Sequence, residues 1–224
     1  MNMDTERLVG YFDILGTKAR VRKDRFDDLE ISDFATPPEI IAKQFPSFRL
    51  AAFSDSVLLS APPSSALDFL RAINFMTTNW SADLVFVRGG VALGEIIWLD
   101  SISHERDLPN FTCARVYGKA LVEAISLEHT SGPGIATFVS NNASALLEAN
   151  VPGSILYAQS NVLVSLTQQE ITNWKRFYSD WSKHSENEVE LNTHLSATIR
   201  LLSMIENRNI ALTFERLFYP PNNT

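Results

Sequence analysis

The chain has a single cysteine, Cys113, in 224 residues, so no intrachain disulfide can form. That fits a reducing compartment. Its histidines, His104, His129, His184 and His194, are too scattered for zinc-ligand spacing. No Gly/Ser-rich or Pro-rich linker divides the sequence; Pro37-Pro38 and Pro62-Pro63-Ser64-Ser65 read as turns between elements. No apolar run approaches the ~18 residues of a membrane span. The opening stretch, MNMDTERLVG, lacks the apolar segment of a signal peptide. Basic residues are outnumbered, with Lys+Arg 19 against Asp+Glu 26 and a formal net charge of −7. Binding nucleic acid needs a field of cations to displace counterions. Neither a nucleic acid nor a membrane is therefore an expected partner, and the expected location is cytoplasmic. A small polyphosphate needs only a local positive cluster.

What is present is a chain 45% hydrophobic and 20% charged, which suits one globular domain over residues 1–224. Its core is expected at about 7–140, with a C-terminal extension at about 141–224. Arg7 to Ile14 reads as a strand ending in the turn Leu15-Gly16-Thr17. A helix is expected from Pro38 to Lys43, with proline in its first turn. Phe48 to Ser54 and Val57 to Ala61 read as a hairpin around Ser54-Asp55-Ser56. Ser64 or Ser65 can cap a helix with the stripe Leu67, Leu70, Ile73 and Met76. Leu84 to Trp98 holds two β-rich runs interrupted at Gly89-Gly90. Phe111 to Tyr117 is a short strand, and Gly118 opens a helix through Glu128. Short strands at 135–139 and 155–158 precede two late helices, 166–183 and 188–206. The second carries Leu195, Ile199, Leu202 and Ile205 on one face, and Phe214, Leu217 and Phe218 are candidates to close the C-terminal end. The order strand, helix, two strands, helix, strand gives an α+β fold of the ferredoxin-like split βαβ type with appended C-terminal helices.

Asp13 ends an apolar strand, and Asp55 sits at the tip of an apolar hairpin. Either alone is an ordinary turn former. A split βαβ fold makes these segments neighbours, so two carboxylates meet and either share a proton or hold a cation. The pair is read as a divalent-metal site rather than two turn formers because both aspartates sit inside longer motifs. The turn after Asp13 can aim main-chain N–H groups at a phosphate, with Gly16 allowing close approach.

These residues lie in longer motifs. Tyr11-Phe12-Asp13-Ile14-Leu15-Gly16-Thr17 resembles the F-D-I-x-G-F/T motif of class III nucleotidyl cyclases. Phe53-Ser54-Asp55-Ser56-Val57 resembles their second metal-aspartate hairpin. Arg88-Gly89-Gly90-Val91-Ala92-Leu93-Gly94 resembles the R-I-G-I-H-x-G strand. Tyr117-Gly118-Lys119-Ala120-Leu121-Val122-Glu123-Ala124 resembles the start of the next family helix, and all four fall in family order over about residues 7–130. Ala52 stands where purine cyclases usually carry Lys or Glu, and a second base reader falls at Arg115. Val122 and Ser126 stand where the transition-state Asn and Arg are usual. With its G-K-A-L-x-E-A helix, the chain resembles the bacterial pyrimidine cyclases of Pycsar antiphage systems.

The resemblance implies a class III fold, conversion of UTP to cyclic UMP or of CTP to cyclic CMP, and a downstream cyclic-nucleotide-sensing effector. It implies a homodimer with shared active sites and Mn²⁺ or Mg²⁺, two ions per site. Asp13 and Asp55 would hold the ions with the Ile14 carbonyl. Phe12 and the N–H groups of Leu15, Gly16 and Thr17 would line the substrate. Arg49 and Arg115 would flank the base; two guanidinium donors favour uracil, which offers two carbonyl acceptors. Phe53 would stack on the base or pack in the core. Lys119 would neutralise pyrophosphate or pair with Glu123. Arg88 and Glu128 would pair structurally. The run Lys18, Arg20, Arg22, Lys23 and Arg25 reads as a solvated face, with Lys18 or Arg20 as candidate phosphate-steering groups.

Overall fold

The computed structural model describes residues 5–17, 28–99, 115–158, 161–164, 166–181 and 189–207. Strand β1 is Glu6–Ile14, and helix α1 is Asp28–Gln44. Strands β2 (Arg49–Phe53) and β3 (Ser56–Ala61) form the expected hairpin. A short 3₁₀ turn leads into α2 (Ala66–Ala82). Strand β4 (Val87–Glu95) is followed by the small pair β5 (Ile97–Trp98) and β6 (Val116–Tyr117). Then come α3 (Lys119–Thr130), β7 (Thr137–Val139) and α4 (Asn141–Asn150). The chain continues through β8 (Ile155–Ala158), β9 (Asn161–Val164), α5 (Gln168–Trp181) and α6 (Val189–Asn207).

The main sheet has seven strands in the order β2-β3-β1-β4-β7-β9-β8. The first four, all antiparallel, are the split βαβ unit expected from the sequence. β7 joins parallel to β4, and β9 and β8 extend the sheet beyond it. Alternation along β1 sorts its side chains. Leu8, Phe12 and Ile14 enter the large core with Phe34, Phe69, Ile73, Met76 and Trp80. Val9 and Tyr11 lie on the other face, where α3 packs through Ala120 and Ala124. That second face carries Asp13.

Several local expectations need correction. The strand does not break at Gly89-Gly90: β4 runs through both. A Cβ on Gly90 would run into the Ala124 carbonyl, and one on Gly89 would lie 2.6 Å from the Phe12 ring. The glycines let α3 and Phe12 lie flush on opposite faces of the strand. Helix α1 does not begin at Pro38 but runs from Asp28 through both prolines. Pro38 has no N–H for the Phe34 carbonyl, and the Trp80 indole Nε1–H donates to that carbonyl instead, at 3.0 Å. Removing this donor with Trp80→Phe should cost about 1–3 kcal/mol from the stranded carbonyl alone, read as a lower urea midpoint. On α2, Leu67 is exposed, and the inward stripe is Phe69, Leu70, Ile73, Met76 and Trp80. Ser65 precedes α2 without a side-chain capping bond. Strand β9 and helix α4 were not anticipated.

The late helices complete the core. Trp174 and Ile171 of α5 and Leu202 of α6 pack with Phe86, Phe138, Leu156 and Leu163. Helix α5 starts with a reciprocal cap: the Thr167 N–H donates to Glu170 Oε2 at 2.8 Å, and the Glu170 N–H donates to Thr167 Oγ1 at 3.1 Å. Among the expected stripe of α6, Leu202 is buried and Ile199 packs beside it. The basic run 18–25, Cys113, the strand residues 111–114 and Phe214, Leu217 and Phe218 lie outside the described residues, as do the side chains of Leu195 and Ile205.

Candidate functional site

Asp13 lies across from Ser56 on β3 and from Arg88 on β4. Ser56 Oγ donates to Asp13 Oδ1 at 2.6 Å, and the Tyr11 hydroxyl lies 2.9 Å from the same Oγ. Asp55 occupies the turn just before Ser56, behind Ser54, whose φ is +54°. The Ile14 N–H donates to the Asp55 carbonyl at 2.9 Å, pinning the hairpin tip to the end of β1. The two acidic segments expected to meet are thus tied together through the main chain.

Asp13 sits where a negative charge is disfavoured. Burial raises the Asp13 carboxyl above its ordinary range, and the negative charges of Asp55 and Glu128 push the same way, while the Ser56 hydrogen bond opposes them. Burial also raises the Tyr11 hydroxyl, against the Ser56 bond. A desolvated carboxylate beside a second one suits a hard divalent ion. Among the described residues no group of three or more His, Cys, Asp or Glu side chains gathers to hold a metal. Carbonyl, phosphate or water oxygens would have to complete a coordination shell around Asp13 and Asp55. The Ile14 carbonyl is in the right turn and already accepts the Thr17 hydroxyl at 3.0 Å.

The turn itself refines the phosphate donors. The Leu15 N–H donates to the Phe86 carbonyl at 2.7 Å, so it is taken up by the sheet. Gly16, with φ +75° and open space where a Cβ would stand, and Thr17 remain as candidates. Phe12 must be corrected as a substrate contact. Its side chain is fully buried, with its ring 5.6 Å from Trp80. Phe53 goes the other way: it is 83% exposed, which overturns core packing. It lies across from Ser56, on the Asp13 face.

Arg49, Arg115 and Lys119 are exposed and stand away from the aspartates. Arg49 lies four residues before Phe53 on β2, about 13 Å along the strand. Helix α3 begins over Gly94, which pairs with Arg7, six residues before Asp13. Lys119 is therefore about 20 Å from Asp13 along β1, and Arg115 precedes it on the same side. No Lys119–Glu123 ion pair forms among the described residues. Val122 and Ser126 are exposed on α3.

Arg88 is occupied elsewhere, as a structural pair requires. Its Nε donates to Glu128 Oε1 at 3.3 Å, and its Nη atoms donate to the carbonyls of Glu128, Gly132 and Gly134. The guanidinium also lies over the Phe138 ring, 4.8 Å from the centroid. Ser56 and Tyr11 were absent from the sequence-derived site. Strand alternation alone puts Tyr11 beside Asp13, whereas Ser56 appears only once the β1–β3 register is known.

No protein-family model matches the sequence, and no curated protein matches it. Solved structures do. A bacterial light-regulated adenylyl cyclase aligns with a TM-score of 0.53 and 13% identity over 78% of this chain and 56% of its own. The catalytic core of a rhodopsin-guanylyl cyclase with converted specificity, in complex with ATPαS, gives 0.52 and 13% over 72% and 96%. The adenylate/guanylate cyclase/hydrolase from Silicibacter pomeroyi gives 0.50 and 15% over 73% and 97%. The chain has the fold of these nucleotidyl cyclases, in line with its motif resemblance to class III.

Proposed function

We propose that this chain, acting as one domain over residues 1–224, is a divalent-metal-dependent nucleotidyl cyclase that converts UTP to 3′,5′-cyclic UMP and pyrophosphate. The observation that carries the reading is the Asp13–Asp55 pair, tied strand to hairpin on the face of a cyclase fold beside an exposed phosphate turn. The reaction is an intramolecular phosphoryl transfer, in which catalysis is mostly positioning and charge stabilisation. Two Mn²⁺ or Mg²⁺ ions, held by Asp13, Asp55 and the Ile14 carbonyl, would acidify the ribose 3′-hydroxyl and neutralise the triphosphate. Gly16 and Thr17 N–H groups cradle phosphate oxygens, and Phe53 offers an exposed ring for the base to stack on. Lys119 stabilises charge on the departing pyrophosphate.

Lys119 and Arg115 lie too far from the aspartates to serve them within one chain. A homodimer supports their use, each site pairing the aspartates of one copy with the cations of the other. The pyrimidine preference rests on the motif resemblance and on Ala52, Val122 and Ser126 at the positions of the purine and transition-state groups. Among the described residues no helix is long and apolar enough to cross a membrane. The reading places the enzyme in the cytoplasm, where its product acts on a separate effector in antiphage signalling.

Incubation with each ribonucleoside triphosphate and Mn²⁺ should yield cyclic UMP from UTP. Cyclic CMP from CTP would redirect the specificity, product from ATP alone would remove the pyrimidine assignment, and no product would leave a non-catalytic cyclase-like domain. Mixing inactive Asp13→Asn and Lys119→Ala proteins should restore roughly a quarter of wild-type sites, because heterodimers rebuild one intact site. A mixture as inactive as its components would exclude shared sites.

A further inference from the structure

We propose that Tyr11 and Ser56 form a two-hydroxyl relay that fixes the orientation of Asp13 for metal binding, an inference that rests on the metal-site reading above. The contacts are short and sequential: Tyr11 Oη to Ser56 Oγ at 2.9 Å, then Ser56 Oγ to Asp13 Oδ1 at 2.6 Å. Three residues from two strands share one face, Tyr11 two positions before Asp13 and Ser56 directly across from it.

The direction of the relay follows from proton counting. A carboxylate only accepts, and a serine hydroxyl has one proton. Ser56 gives that proton to Asp13, so the Tyr11 hydroxyl donates to Ser56. Ser56 is thereby held from both sides and cannot swing to another acceptor. Oδ1 is fixed in turn, and Oδ2 remains available to a cation. This constraint opposes a specific force. Asp55 repels Asp13 across the strand end, and a free carboxylate would rotate away from it. Groups that bond to a metal ligand from behind set its direction, and losing one typically weakens metal affinity roughly 10- to 100-fold. Tyr11 and Ser56 are positioning residues: they act through Asp13.

The test is Mn²⁺ titration of the full-length protein without nucleotide, following the electron paramagnetic resonance signal of free Mn²⁺. Ser56→Ala should raise the Mn²⁺ dissociation constant by about 10-fold while the protein remains folded in chelator, as read by circular dichroism at the titration temperature. Ser56→Thr, which keeps the hydroxyl, should restore wild-type affinity. Tyr11→Phe should weaken binding less, and should add nothing in the Ser56→Ala background, because the relay is already cut. Wild-type affinity in Ser56→Ala, or fully additive effects of the two substitutions, would overturn the relay while leaving the metal site standing. Failure of the wild-type protein to bind Mn²⁺ would overturn the metal reading and the relay with it.

Discussion

Asp13→Asn should abolish cyclisation and, in metal-free buffer, raise the melting temperature. The first effect follows from the proposed role. Removing one preorganised charge-stabilising group costs roughly 100- to 1,000-fold in turnover, and a shared metal site depends on both carboxylates. The second effect follows from the sign of the Asp13 shift. Its carboxyl is raised in the folded state, chiefly by burial and then by Asp55 and Glu128. The folded chain therefore binds the proton more tightly than the unfolded chain. Below the ordinary carboxylate range both states are protonated and no penalty exists. As pH rises through the raised value, the wild type loses stability and stays lower at neutral pH. Asn carries no charge, still accepts from Ser56, and escapes this loss. The variant's advantage should be larger at neutral pH and shrink as pH falls through the carboxylate range. Mn²⁺ should lift the wild-type melting point and leave the variant unchanged, since only the native site gains from binding. Thermal melts with chelator and with Mn²⁺, beside a product assay, check all three. A variant that melts lower in chelator, or that retains turnover, contradicts this account.

Arg88→Ala should cost about 3–5 kcal/mol, the range for breaking a buried pair by removing one partner. Arg88 is 3% exposed. Burial lowers its pKa, while Glu128 acts the other way and favours the charged form. Its loss strands the Glu128 carboxylate and uncovers three carbonyls that end α3 and lead into β7. The His194 ring of α6 is tied into the same place, its Nδ1 accepting the Gly134 N–H at 3.1 Å. Arg88→Lys should recover little, because one ammonium cannot span this set of acceptors. Arg88→Met combined with Glu128→Leu should recover a substantial part, since it removes both charges together. Urea unfolding with a constant slope measures each difference. Equal stability of wild type and Arg88→Ala would show that the buried pair contributes nothing net.

How much of this was legible depends on the range of the interaction. The strand 7–14, the hairpin around Asp55 and the helix after Gly118 were readable because period, turn residues and motif all act locally. The Thr167-Gln168-Gln169-Glu170 cap is encoded just as locally. Helix α1 runs past the start that Pro38 suggests, because Trp80, 42 positions after Pro38, supplies the missing donor to Phe34. The Gly89-Gly90 pair looks like a break by local propensity, which does not register that Ala124 and Phe12 need the space. Leu67 was placed inward by its spacing, while its actual environment depends on which flank of α2 meets the sheet.

The sequence by itself determined the split βαβ order, the two aspartates and the pairing of Arg88 with Glu128. Each is encoded in a short segment or a matched pair of motifs. Only the tertiary structure decided the surroundings of the candidate site. Register put Ser56 against Asp13, packing consumed Phe12 and the Leu15 N–H, and exposure turned Phe53 outward. Sheet length separated Lys119 from the aspartates, which is why the proposed function pairs them across two copies. These follow from distances across strands and faces, which depend on contacts between segments far apart in the chain.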